Sequence, residues 1–150
     1  MSQDGGGIDL DTSLGYLLKE ASSALRSAME EVLRPLGMTI THYSCLELLA
    51  QRPGLSNSEL ARGAFVTRQS MNVLLQALER DGFVTRPPEA PVGKALPTTL
   101  TPRGRSSLAQ ATAAVRSVEV RMLAGITDDE QAAALRALRS MAVSYTHLRA

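Results

Sequence analysis

The chain has 150 residues, 44% hydrophobic and 21% charged, which suits one domain with a real core and excludes a disordered polymer. No apolar run reaches the length of a membrane helix, and Met1 to Gly7 lack the charged-then-apolar pattern of a secretory leader. With Cys45 as its single cysteine, the chain is expected to be cytoplasmic and free of intramolecular disulfides. The net charge of +1 hides an uneven distribution. Residues 1–51 hold 3 Lys/Arg against 7 Asp/Glu, residues 52–105 hold 8 against 4, and residues 106–150 hold 5 against 4. A basic middle between acidic and near-neutral ends points to one surface that faces polyanions.

Residues 1–11 are rich in glycine and read as a disordered tail. Asp11 or Thr12 is expected to cap a first helix, whose apolar positions run from Leu14 to Leu36 at helical spacing. Pro35 and Gly37 end it. Thr39 caps a second helix, with Met38 and Tyr43 placed as a hydrophobic staple, and Arg52-Pro53-Gly54 stops it. Ser56 and Glu59 have capping-box spacing and open a short third helix that Gly63 is expected to break. Thr67 opens a fourth, with Val66 and Met71 as a second staple and Val73, Leu74, Leu75 and Leu78 as its apolar face. Asp81-Gly82 closes it. The period then changes: Phe83 to Arg86 and Thr98 to Leu100 read as the two strands of a hairpin with a Pro/Gly-rich tip. Thr101-Pro102 starts a long fifth helix, and Thr127 with Glu130 boxes the start of a sixth. Ser144 to Ala150 breaks the Ala/Leu/Arg pattern of that helix and reads as a non-native tail.

The predicted fold is mainly α with a small β-hairpin wing: a winged helix-turn-helix plus a helical dimerisation region. The gap between the third and fourth helices has helix-turn-helix length, and the hairpin directly after makes the winged variant. Several segments resemble the MarR family of transcriptional regulators. Pro53 to Arg62 is similar to the third-helix signature of that family. Glu79-Arg80-Asp81-Gly82-Phe83-Val84 resembles the end of the recognition helix and the first wing strand. Leu100-Thr101-Pro102-Arg103-Gly104 resembles the wing-to-helix junction. Thr39 to Tyr43 and Gly125 to Glu130 resemble the starts of the second and last helices. The likeness implies a single domain over 12–143, with 12–36 and 102–143 as dimerisation helices and 39–101 as the DNA-binding lobe. It also implies a homodimer and, for many members, repression relieved by small molecules or oxidants. Two departures stand out. Many members carry arginine where this chain has Val73, and here Lys94 is the only cation at the wing tip.

A recognition helix reads the major groove through side chains near its N-terminus. Here these are Thr67, Arg68, Gln69 and Ser70, with Asn72 one turn further. Arg pairs with guanine and Gln or Asn with adenine through two hydrogen bonds each. Arg62, Arg86, Lys94, Arg103 and Arg105 are expected on phosphates, where they position without specifying sequence. The expected partner is double-stranded DNA carrying a pseudo-palindromic operator, read by a homodimer. Tyr16, His42 and Tyr43 are candidates to line a pocket for a small hydrophobic or aromatic effector, set against the plainer reading as core residues. Cys45 lies among apolar residues and reads as an inert buried thiol.

No cofactor, metal or catalytic group is expected. Gly93-Lys94-Ala95 lacks the phosphate-loop pattern, and His42 and His147 have no metal-ligand spacing. Asp128, Asp129 and Glu130 occupy a first helical turn, where acids favour the helix dipole. The alternative to a sequence-reading regulator is a winged-helix module that binds protein without sequence-specific DNA binding.

Overall fold

A computed structural model describes residues 6–86 and 97–148. Six α-helices and one hairpin follow each other as expected: α1 (Leu14–Leu33), α2 (Ile40–Gln51), α3 (Asn57–Gly63), α4 (Arg68–Arg80), β1 (Val84–Thr85), β2 (Thr99–Leu100), α5 (Pro102–Leu123) and α6 (Asp128–Leu148). A 3-10 turn over Arg34–Leu36 extends α1, and Gly37 at φ 70° ends it. The strands are antiparallel, with Val84 opposite Leu100 and Thr85 opposite Thr99. Among the described residues no helix is long and apolar enough to cross a membrane.

The caps explain where most helices start. A hydroxyl at each N-cap takes one of the N–H groups that the first turn leaves unpaired. Thr39 accepts from His42 N–H, Ser56 from Glu59, Thr67 from Ser70, Thr101 from Gly104 and Thr127 from Glu130. Glu59 and Glu130 return the bond to Ser56 N–H and Thr127 N–H, so both capping boxes close. Those bonds hold the two exposed carboxyls below their usual pKa. The first cap differs from expectation. Ser13, not Asp11 or Thr12, accepts from Tyr16 N–H, because Asp9 ties Asp11 N–H into a preceding turn.

Two further positions depart from the sequence reading. Gly63 does not break α3 but is its last residue. It lies so close to Leu48 that a Cβ would stand 2.9 Å from that side chain, so glycine allows α3 to approach α2. The left-handed turn falls instead on Phe65, at φ 59° and 94% exposed. The other departure is Val73. Three consecutive apolar residues cannot share one helix face; Leu75 is buried, Leu74 packs against the core, and Val73 is 62% exposed.

The core lies among α2, α3, α4 and the hairpin and along their borders with α1 and α5. Leu33, Cys45, Leu46, Leu60, Met71, Leu75, Leu78 and Val84 are fully enclosed. At the base of the hairpin, Thr101 donates its hydroxyl to Gly82 C=O at 2.6 Å, and its N–H bonds Phe83 C=O at 3.1 Å. Gly104 presses against the same Phe83 carbonyl, where any Cβ would collide with the oxygen. These contacts fix the angle between α4, the hairpin and α5.

Candidate nucleic-acid interface

The first turn of α4 is open to solvent. Arg68, Gln69 and Ser70 are exposed, and Gln69 lies on the side of the helix opposite Met71, Leu75 and Leu78. An exposed helix N-terminus presents N–H groups and the positive end of its dipole, both suited to phosphate. Thr67 works locally: besides capping Ser70, its hydroxyl donates to Ser70 Oγ at 2.9 Å. Asn72 is partly engaged as well. Its Oδ1 accepts from Asn57 Nδ2 at 2.7 Å, which ties α4 to the start of α3 and leaves the Asn72 amide as a donor.

The cations expected on phosphates stand in different states. Arg62 is exposed in the last turn of α3. Arg86 follows β1 and is held by Glu79 of α4 at 3.1 Å, leaving its side chain 22% exposed. Arg103 stands with its guanidinium 4.7 Å from the centre of the Phe83 ring. Arg105, one turn along α5, is exposed. Lys94 lies outside the described residues.

Of the three effector-pocket candidates, Tyr43 borders a described cavity. Tyr16 is exposed on α1. His42 rests edge-on against Phe83, ring centres 5.3 Å apart, with its Nε2 enclosed and without a hydrogen-bond partner among the described residues. Burial lowers the His42 pKa, against a smaller opposing pull from Asp81. Tyr43 borders a shallow recess with Glu47, Gln51 and Arg52. Burial and the Glu47 carboxylate raise its phenol pKa; a hydrogen bond with Thr112 opposes them, and Glu119 adds to the rise. A larger cavity of about 600 Å³ lies between the end of α2, β2 and α5. Its walls include Glu47, Leu49, Thr98, Leu100, Arg105 and Arg116. Sequence reasoning placed Arg105 on phosphate and missed Glu47, Thr98 and Arg116, because residues from three separated elements meet there. Burial pushes the Cys45 thiol up to about 12, so it stays protonated and unreactive at neutral pH.

On a chain with this architecture, the MarR family profile matches residues 36–95. The chain is similar to the HTH-type transcriptional repressor Rv2887 of Mycobacterium tuberculosis, at 46% identity over 83% of this chain and 90% of that one. The crystal structure of that mycobacterial protein with DNA superposes with a TM-score of 0.73 at 44% identity, covering 87% of this chain and 98% of the other. Its complex with salicylic acid gives a TM-score of 0.72 at 44% identity, over 87% and 97%.

Proposed function

The chain belongs to the MarR family, and from that membership we propose that it is a homodimeric, sequence-specific regulator that binds double-stranded DNA and represses transcription until a small aromatic acid releases it. It works in the cytoplasm and catalyses no reaction. The observation that carries this reading is the open first turn of α4, where Arg68, Gln69 and Ser70 stand exposed. Arg68 and Gln69 pair with base edges, and Arg62, Arg86 and Arg103 hold phosphates.

The helical ends support the dimer. None of the described side chains of α6 is buried, and Leu135, Leu138, Met141 and Val143 stand exposed along it. Among the described residues, α6 has no substantial packing against any other element. A groove of about 400 Å³ between Ala21, Ala24, Leu25, Ala28 and Glu31 of α1 and Val118, Arg121 and Met122 of α5, mostly apolar in its lining residues, is open as well. A second copy covers both surfaces at once and places two recognition helices about one DNA turn apart. For the effector, the cavity bordered by Arg105 and Arg116 suits a carboxylate on an aromatic ring, in keeping with a relative that crystallises with salicylic acid.

Binding to duplexes from the gene's own upstream region, measured over a salt series, tests the reading. Wild type is expected to bind one palindromic segment tightly, with affinity falling steeply as salt rises. An Arg68→Ala, Gln69→Ala double variant is expected to lose that preference. Binding that ignores sequence there and in a genomic fragment library would instead favour a protein-binding module.

A further inference from the structure

The outer face of α4 carries one large apolar side chain, Val73. At about 100° per residue, Val73 lies roughly 200° around the helix from Met71, so it points directly away from the core. Met71 is fully buried, whereas Val73 is 62% exposed. Gln69, Gln76 and Arg80 share this outward stripe and are all exposed. Folding gains little from a valine here. A β-branched residue in an exposed helix interior is a weaker helix former than alanine, and no described segment covers it.

We propose that Val73 reads the C5-methyl group of a thymine in the major groove. The inference rests on the assignment of α4 as the DNA-reading helix. When that helix enters the groove, the residue opposite the core faces the base edges. All four bases present hydrogen-bonding groups there, and thymine alone adds a methyl group. Valine over a polar edge strips water from a donor or acceptor and returns no bond. Over a thymine methyl, both surfaces leave water together. Gln69, one turn earlier, supplies the paired amide that suits adenine. The outer face of α4 therefore selects A·T pairs through one polar and one apolar contact.

Uracil in place of thymine removes this methyl and leaves the pairing edge intact. The experiment is a uracil scan of the specific duplex, replacing one thymine in each half-site symmetrically. For wild type, one symmetric pair is expected to weaken binding about fourfold per half-site, or roughly fifteenfold for both, the loss of one buried methyl contact each. Val73→Ser is expected to bind the thymine and uracil duplexes alike, and Val73→Ile to keep the penalty. Wild-type binding unchanged across the whole scan would overturn the proposal without any variant. So would a uracil penalty that survives in Val73→Ser. Absence of any specific duplex is a different failure, because it removes the DNA-reading assignment itself.

Discussion

The winged-helix lobe and the helical arms use the same raw material, amphipathic helices with apolar stripes, to different ends. In the lobe the stripes of α2, α3 and α4 close on one another, and Leu46, Leu60, Met71 and Leu75 are fully buried. In the arms, α1 and α6 keep Leu14, Leu18, Leu135 and Leu138 in contact with solvent. The lobe is complete as one chain. The arms present a core cut in half, as the faces of obligate dimers do. Helical periodicity reveals that a stripe will be buried, but not whether its partner belongs to the same chain.

The largest expected effect breaks the arms and spares the lobe. Leu138→Asp with Met141→Asp should cost on the order of 4 kcal/mol of association, since each substitution enters the interface twice. Sedimentation should then show a monomer whose lobe stays folded by circular dichroism. Gly104→Ala should do the reverse. A Cβ driven into the Phe83 carbonyl is expected to cost about 3 kcal/mol in denaturant unfolding, with the loss centred on the lobe.

Two smaller effects sharpen the account of the lobe. The folded His42 pKa lies below the ordinary 6.5, so the unfolded chain binds its proton first as pH falls. The His42 contribution to stability is therefore full above about pH 6.5 and is lost as pH falls through the lower folded value. His42→Phe should flatten that part of the stability–pH curve measured by urea unfolding. Phe65→Gly is expected to stabilise by about 0.5 kcal/mol. Relief of the left-handed strain, about 1–2 kcal/mol, exceeds the added entropy of glycine, and the exposed ring gives up little contact. Thermal unfolding reads that shift directly.

Local chemistry was the legible part of the sequence. Thr39, Ser56, Thr67, Thr101 and Thr127 mark helix starts because a hydroxyl and an N–H three residues apart satisfy each other whatever surrounds them. The start of α4 was legible for the same reason, since the Thr67 hydroxyl caps Ser70 N–H. What escaped depends on distance through space. Gly63 reads as a breaker until Leu48 is seen beside it, and Val73 reads as core until Leu74 and Leu75 claim the inner face. Arg116 and Thr98 gain meaning only where α5 meets β2. The turn at Phe65 carries no signal, because the positive φ falls on a residue type that ordinarily avoids it.

The central claim is that two copies of this chain, joined through their arms, read DNA with two α4 helices. Hydroxyl-radical footprinting of the wild-type complex, with stoichiometry from sedimentation, tests it most directly. The account predicts two chains per duplex and two symmetric protected blocks, centred about one helical turn apart on a palindromic segment. One chain per duplex with a single protected block, or protection spread without regard to sequence, would contradict it.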